Sequence, residues 1–304
     1  MNKMIYPLAL LFLLAACEKE IQLPKPPFVP QLVAFGSLTP ENASLVLIST
    51  RSDSDPNLEP VYLDSAQVFI KKNSNLFKLS PDAGKGAGHY ILDGLDFEEN
   101  ETYELQVSRR GFAEISAQAV LPQKIRMENL QAQILQIRPA ESDNQDYYRI
   151  EAAMDLPHSI AGEAYASLYF EIETEEKIPQ QNGDTILMKS RVSPLQLFPE
   201  LPANLGYLPA VSKLVFKKSE LPENGKVVIS GEFLLNKNAR PKRIMAQLDV
   251  FSESYFLFAH SLERQSNYTP DLPIIEAEFI YTNVQNGFGY FSGFQTAHAN
   301  APVE

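Results

Sequence analysis

Short apolar runs separated by turn residues fill the chain between residues 32 and 121, at intervals of about 8–12 residues. In one run, Tyr103, Leu105 and Val107 alternate with polar residues, which is the period of a strand with one buried face. The runs predict strands over 32–38, 44–49, 66–71, 76–79, 89–92, 102–108 and 115–121. Their spacing predicts an antiparallel β-sandwich over residues 31–122.

The strand signals continue after Leu121-Pro122, where a proline that cannot donate to a central ladder ends the first module. We therefore place a domain boundary near residue 123. A larger antiparallel β-rich domain is predicted over 123–297, followed by a tail over 298–304. Its predicted strands cover 147–154, 164–174, 185–192, 211–216, 226–235, 243–251 and 274–282.

One segment of the second domain has a helical period instead. In SESYFLFAHSLERQ, Tyr255, Phe258 and Leu262 form a stripe at three- and four-residue spacing, and the first serine is placed as an N-cap. We predict a helix near 253–265. Its stripe is expected to pack on the core, because such stripes are core more often than cofactor sites.

Residues 193–210 are apolar but follow neither period, and four prolines stiffen them. Such a loop would dock a partner with little loss of entropy, through Leu197, Phe198 and Tyr207. It would equally fold back over the sheet and plug the core. We favour the plug, because loops this apolar are seldom left in water.

The first 16 residues have the layout of a secretory signal, with a lysine ahead of an apolar run that is too short to span a bilayer. The run ends in LAAC, which resembles the lipobox of bacterial lipoproteins. The resemblance implies cleavage between Ala16 and Cys17 and a diacylglyceryl group on the Cys17 sulfur. The alternative is an ordinary signal with an incidental cysteine, but the chain has no second cysteine to pair with it.

Residues 17–30 follow as a proline-rich tether that would reach about 40 Å in the polyproline II conformation. The tether starts with Glu18-Lys19-Glu20, which resembles the surface-export signal of Bacteroidota lipoproteins. We therefore expect a lipoprotein of the outer membrane that is exposed on the cell surface. Attachment to the periplasmic face is the alternative.

Composition limits the partners. Removing residues 1–16 removes Lys3 and no acidic residue, so the formal charge changes from −12 to −13. Nucleic acid is not expected as a partner, because binding it requires a basic face. No second apolar run approaches the ~18 residues of a membrane-spanning helix, so the lipid is the only membrane attachment that we expect.

The residues with catalytic chemistry are not grouped by sequence. His89, His158, His260 and His298 are scattered without the spacing of a zinc site. The only cysteine is the lipidation site. Ser292 lacks both the G-x-S-x-G spacing and the following helix of a serine hydrolase.

Three acidic segments raise two further possibilities, a calcium site and the carboxylate pair of a glycosidase. The stretch from Asp53 to Asp64 begins like a calcium loop, but Leu58 stands where glycine is needed for the sharp turn. The clusters at 96–101 and 171–176 hold neighbouring carboxylates, yet the carboxylate pair of a glycosidase is placed by the fold. We interpret all three as solvated loops, turns and strand faces. No catalytic residue, cofactor or metal is expected.

Several pieces of the first module resemble the transthyretin-like or carboxypeptidase-regulatory-like sandwich. They are Gly88-His89-Tyr90, Leu95, residues 103–107 and Gly111-Phe112. The resemblance implies an Ig/transthyretin-like β-sandwich, a domain that serves far more often as a scaffold than as a catalyst.

The C-terminal part of the chain also contains recognisable motifs. The helix is followed by Gln265-Ser266-Asn267, and residues 282–293 combine an Asn-Gly pair with a glycine-rich aromatic strand. Asn286-Gly287 suits a type I′ turn, and Gly289 and Gly293 permit a close backbone approach or a bulge. With the lipobox and the sandwich, these features resemble the Bacteroidota outer-membrane lipoproteins grouped as domain of unknown function 4249.

This resemblance implies a gene neighbourhood with TonB-dependent outer-membrane transporters. We expect a non-enzymatic accessory lipoprotein that captures a ligand or acts as a partner of such a transporter. The first alternative is a structural or adhesive surface lipoprotein that binds matrix or glycan. A hydrolase whose site is scattered along the sequence is the third possibility.

Overall fold

The computed structural model describes residues 28–51, 59–124, 126–139, 144–156, 165–180, 185–194, 196–199, 206–208, 213–217, 225–266 and 280–303. In these ranges the protein is mainly β with one helix, as the sequence predicts. The elements are β1 Leu32–Leu38, β2 Asn42–Ser49, β3 Val61–Tyr62, β4 Gln67–Lys72, β5 Asn75–Lys78, β6 Ser80–Pro81, β7 His89–Asp93, β8 Thr102–Ser108, β9 Ile115–Val120, β10 Glu128–Pro139, β11 Gln145–Asp155, β12 Tyr165–Pro179, β13 Thr185–Val192, β14 Gln196–Pro199, β15 Gly206–Leu208, β16 Lys213–Lys217, β17 Lys226–Asn236, β18 Ala239–Phe251, α1 Glu253–Ser266 and β19 Phe288–Pro302.

The first sandwich has one layer from β1, β2 and β7 and a second layer in the order β5-β4-β8-β9. Side chains alternate between buried and partly exposed along β1 and β8, so the period of two places one face of each strand in the core. The shared core includes Leu32, Leu45, Ile70, Tyr103 and Val107.

The second sandwich is built in the same way. One layer has the order β10-β11-β17-β14, and the other contains β12, β18 and the second half of β19. Their facing side chains form a separate core that includes Ile150, Met154, Phe170, Phe233 and Leu248.

Strand β19 belongs to both sandwiches. Its first half pairs in parallel with β1, from Val33 opposite Phe288 to Leu38 opposite Gly293. Its second half pairs with β18 in the antiparallel sense, beginning with Phe294 opposite Phe251. Within the described residues, one sheet therefore runs from β15 through β12, β18, β19 and β1 to β6.

The last strand changes two expectations drawn from the sequence. Val284 and Phe291, which fall in the range assigned to the second domain, are buried in the first core. The strand also extends to Pro302, through most of the segment interpreted as a tail. The extension was missed because exposed polar residues alternate there with alanines, which have a weak preference for strands.

The turn before β19 is not the expected type I′ turn. Asn286 has a φ of +59°, but Gly287 is not in the positive-φ region that a type I′ turn requires at both central residues. Glycine is needed here for space: a Cβ on Gly287 would lie 2.7 Å from the carbonyl oxygen of Leu32. The close approach expected at Gly289 and Gly293 is confirmed, since a Cβ at either would lie within 2.2 Å of a backbone oxygen.

Asn283 attaches the segment before β19 to the first sandwich. Its side-chain amide donates to the carbonyls of Gln118, at 3.1 Å, and Phe291, at 2.9 Å. Its side-chain oxygen accepts the backbone N–H of Phe291 at 3.0 Å. A single asparagine thus joins β9 to β19 and fixes the start of the last strand.

Three other elements differ from the sequence prediction. Strand β10 was missed because glutamines separate its half-buried Leu130, Ala132 and Ile134, as is common at a sheet edge. The loop predicted over 193–210 contains β14 and β15, whose backbones pair with β17 and β16. Of the strand predicted over 274–282, residues 280–282 have no regular structure, and 274–279 lie outside the described ranges.

Helix α1 covers the outer face of the long sheet where the two sandwiches meet. We call the rings in contact there the junction cluster: Phe35, Tyr165, Phe251, Tyr255, Phe256, Phe258, Tyr290 and Phe294. The predicted contact stripe is wrong at Leu262, which is 46% exposed. Phe256 packs instead, stacked on Tyr165 at 4.2 Å between ring centroids.

We expect the junction cluster to make folding sensitive to alkali. Burial raises the pKa of Tyr290 from 10.0 to about 12, so the native state holds this proton more tightly than the unfolded chain does. Its contribution to stability is complete below pH 10 and is lost as the pH rises towards 12. Urea unfolding of the wild type and Tyr290→Phe at about pH 9 and 11 measures this loss. The drop in stability should be smaller in the phenylalanine variant, and equal drops would contradict the assignment.

Candidate functional site

A shallow cleft of about 360 Å³ lies on the outer face of the long sheet. We call it the outer-face cleft. Strands β12, β13, β18 and β19 supply its polar side chains, which are Tyr169, Glu171, Arg191, Gln247, His298 and Asn300.

Strand register brings these residues together. Gln247 on the central strand β18 lies opposite Tyr169 on one side and His298 on the other. In the neighbouring row, Met245 lies between Glu171 and Asn300. Directly opposed residues of antiparallel strands share a face, so both rows point outward, away from the second core.

A chain of hydrogen bonds holds the middle of the cleft in place. The Tyr169 hydroxyl donates to Gln247 Oε1. Gln247 Nε2 in turn donates to Asp249 Oδ1 at 2.7 Å, and the Thr296 hydroxyl donates to the same oxygen at 2.9 Å. Burial, with the nearby charge of Asp249, raises the pKa of Tyr169, so this hydroxyl keeps its proton near neutral pH.

The lining of the cleft combines one ion pair with two side chains that are not hydrogen-bonded to described residues. Arg191 and Glu171 form an ion pair at 3.4 Å, so their charges offset each other within the cleft. The side chains of His298 and Asn300 are exposed and make no hydrogen bond to another residue that the structure describes. Their donors and acceptors are therefore available to a ligand.

A second cleft, of about 600 Å³, opens between β10, β11 and the end of β19. There the Gln133 side chain donates to Glu151 at 2.7 Å. Its polar lining is limited to Gln131, Gln133 and Glu151. The outer-face cleft presents a larger and more varied set of polar side chains, so we take it as the candidate site.

Comparison with known families accounts for nearly the whole chain. The family model described as domain of unknown function (DUF4249) matches residues 18–299. The chain belongs to this family. No curated protein matches the sequence.

Two solved structures resemble this DUF4249 protein distantly. A chain of a chaperone–tip adhesin complex of CFA/I fimbriae biogenesis is 12% identical, with 74% of this chain and 77% of that chain covered and a TM-score of 0.21. The B domain of a biofilm associated protein is 7% identical, with coverages of 89% and 85% and a TM-score of 0.17. Values this low carry no argument about the function of the DUF4249 protein.

Several site residues predicted from the sequence fall outside the described ranges or are described only by their backbone. Ala16, Cys17 and Asp53 lie outside the described residues. The backbones of Leu197 and Phe198 pair with Gly231 and Ser230 of β17. The backbone of Tyr207 pairs with Leu214. Partner docking through Leu197, Phe198 and Tyr207 stays a prediction.

The three described histidines of the DUF4249 protein lie on different elements and have different neighbours. His89 stacks on Tyr62, and His260 stacks on Phe256. His158 lies outside the described ranges, whereas His298 lines the outer-face cleft.

The acidic cluster at 171–176 lies on β12, where its outward-facing carboxylates are paired. Glu171 contacts Arg191, Glu173 contacts Arg243, and Glu175 contacts Lys189 and Lys242. These carboxylates form a row of surface ion pairs on a strand face.

An exposed apolar ribbon flanks the cleft. Seven of the eight residues of β13 are exposed, and Ile186, Leu187 and Met188 are each more than 40% exposed. Among the described strands, β13 pairs only with β12, so its other edge is open there.

Two further observations concern the described ranges as a whole. No helix in them is both long and apolar enough to span a membrane. No group of three or more His, Cys, Asp or Glu side chains in them is placed to hold a metal ion. The absence of a metal site, a cofactor and catalysis stays a prediction.

Sequence reasoning did not find the outer-face cleft. Tyr169, Gln247 and His298 are outward positions of three strands that are far apart in sequence. Period-two alternation identifies such positions as polar, but it does not tell which strand lies beside which. The available signal was the run of alternating polar residues from 296 to 300, which had been interpreted in part as tail.

Proposed function

We propose that this protein is a non-enzymatic lipoprotein of the outer membrane, anchored through Cys17, that captures a ligand as the accessory partner of a TonB-dependent transporter. The lipobox-like sequence motivates the proposed membrane location, and the family membership motivates the proposed transporter partner. The geometry of β19 motivates ligand capture.

The supporting observation is that β19 connects β1, the first strand after the predicted tether, to the cleft. The tether enters at β1, whose Val33 lies opposite Phe288 at the start of β19. His298 lies further along the same strand, about 33 Å away at the rise of an extended chain. The cleft is thus displaced along the sheet from the point where the tether enters.

A continuous sheet holds the cleft in a fixed position relative to β1 better than two domains joined by a flexible linker would. Backbone hydrogen bonds join β19 to β1 and to β18 without interruption, from residue 288 to 302. The junction cluster packs α1 over the point where β19 exchanges one partner for the other. We infer that the cleft keeps a constant distance from β1, where the tether enters, as presenting a ligand to a fixed partner requires.

Affinity purification of the full-length lipidated protein from detergent-solubilised envelopes tests the proposal. We expect a TonB-dependent transporter to be retained and identified by mass spectrometry. The experiment is repeated with envelopes cross-linked before solubilisation, so that weak association is also detected. Purification of the lipoprotein without a transporter in both experiments, with matrix or glycan bound, would replace this proposal with the adhesive alternative.

Protease treatment of intact cells distinguishes the two membrane faces. We expect the protein to be digested in intact cells, because the resemblance of residues 18–20 to a surface-export signal favours the outer face. Protection until the outer membrane is permeabilised would assign it to the periplasmic face.

A further inference from the structure

We propose that the outer-face cleft binds a neutral, hydroxyl-rich ligand of the short-oligosaccharide class, held by Asn300, His298 and the Tyr169–Gln247 pair. The inference rests on the proposed function, since it names the class of ligand that the lipoprotein captures. The evidence for this ligand class is the charge of the cleft, its hydrogen-bonding groups and the order of its side chains.

The charges of the cleft are balanced. Arg191 and Glu171, the ion pair at 3.4 Å, are the charged groups among the polar side chains named above, beside amides, a phenol and an imidazole. An anionic ligand would meet no excess of positive charge there, and the Asp249 carboxylate, which accepts a hydrogen bond from Gln247, adds negative charge beside the cleft. The formal charge of −12 further disfavours an anionic ligand, because the protein as a whole repels it.

The hydrogen-bonding groups match hydroxyls. A sugar hydroxyl both donates and accepts, so neighbouring hydroxyls are best met by side chains that offer a donor and an acceptor side by side. The Asn300 amide does so, with one carbonyl oxygen and two N–H donors. Gln247 uses its oxygen on Tyr169 and one N–H on Asp249, which leaves its second N–H for a ligand.

The cleft also has apolar surface for the C–H face of a sugar ring. Met245 lies between Glu171 and Asn300, and the ring of Tyr169 stands in the neighbouring row. Binding sites for small ligands usually combine such apolar surface with a few oriented polar groups.

The polar groups are already ordered without a ligand. Tyr169, Gln247, Asp249 and Thr296 form one hydrogen-bonded chain, so the central amide is oriented before binding. Pre-ordered side chains lower the entropy cost of association. The volume of about 360 Å³ is near the lower end of the range for ligand sites, and the cleft is open. An oligosaccharide would therefore place one or two residues in the cleft and extend beyond it.

A glycan array tests the ligand class. The full-length lipidated protein is applied in a detergent without a sugar headgroup, to neutral and to acidic oligosaccharides. We expect retention on neutral glycans. Binding of the best neutral oligosaccharide is then measured by calorimetry for the wild type and for Asn300→Ala and His298→Ala. Each variant should bind at least about tenfold more weakly, the loss typical of an unpaired polar contact.

Gln133→Ala is the matched control for Gln247→Ala. Both glutamines lie on strands and hydrogen-bond to an acidic side chain, but Gln133 lies in the second cleft. We expect only the Gln247 variant to lose affinity. Thermal unfolding of both variants shows whether the change affects folding, and the exposed Asn300 provides an independent test.

Three results would overturn the assignment: retention of acidic glycans only, retention of no glycan, or affinities unchanged in Asn300→Ala and His298→Ala. The transporter purification is repeated with Asn300→Ala, and we expect the transporter to be retained. If the wild-type protein retains a transporter but no glycan, the proposed partner stands and only the ligand class is refuted.

Discussion

Gly289→Ala is expected to cost about 4 kcal/mol or more of unfolding free energy, which is at the severe end for a single substitution. Gly289 has a φ of +102°, which L-amino acids with a side chain rarely adopt. A Cβ there would lie 2.0 Å from the carbonyl oxygen of Ala34, its neighbour on β1. Relieving this overlap requires β1 and β19 to separate, which opens the pairing that joins the two sandwiches.

Gly86→Ala is the matched control. Gly86 also has a positive φ, of +86°, but a Cβ there would have no heavy atom within 4 Å. Only the backbone penalty applies at this position, about 1–2 kcal/mol. Chemical denaturation of the two variants measures both costs. If Gly289→Ala lost no more stability than Gly86→Ala, the parallel pairing of β1 with β19 would be wrong.

Cys17→Ser is expected to move the protein from the membrane fraction to the soluble fraction almost completely. Each buried methylene contributes roughly 0.8 kcal/mol, so two or more acyl chains form a stable anchor that the serine variant lacks. The sequence predicts no other membrane attachment. Fractionation of envelopes and the intact mass of the mature protein are the measurements, since lipidation adds the mass of the acyl groups.

Lys25→Ser in the tether is the control for this experiment, because it also introduces a serine but leaves the sulfur in place. We expect this variant to stay in the membrane fraction with its lipid mass. If Cys17→Ser kept both the lipid mass and the membrane fractionation of the wild type, the lipid anchor would be refuted. The proposed role as partner of an outer-membrane transporter, which depends on the anchor, would then be unsupported.

These two predictions test opposite ends of the same functional arrangement. In the proposed arrangement the lipid would hold the protein at the membrane, while the β1–β19 pairing connects the first sandwich to the sheet that bears the cleft. A protein that lost only the pairing would remain attached but would no longer hold the cleft at a constant distance. Transporter retention by the Gly289→Ala variant would therefore be weaker than wild type even though its lipid is intact.

Much of the β structure was predictable from local pattern. The predicted strands over 32–38, 102–108 and 185–192 agree with β1, β8 and β13 to the residue. The helix prediction near 253–265 differs from α1 by one residue at the C-terminal end. In strands that bury one face, apolar and polar residues alternate along the sequence, so such strands can be recognised without knowing which strands they pair with.

The candidate site was not predictable in this way. His298 and Tyr169 are more than one hundred positions apart in sequence, and each is an unremarkable outward residue of its own strand. Both come to lie beside Gln247 because β12 and β19 pair on either side of β18. That arrangement depends on which long-range pairings bury the most apolar surface.

The sequence by itself determined where the helix and many of the strands form, because local periodicity sets which side chains each segment can bury. It also supplied the glycines that the last strand requires. Only the tertiary structure decided that β19 joins both sandwiches, that residues near the C-terminus complete the first core, and that an outward polar row becomes a cleft. Strand order and register arise from contacts between distant segments, and no local period encodes them.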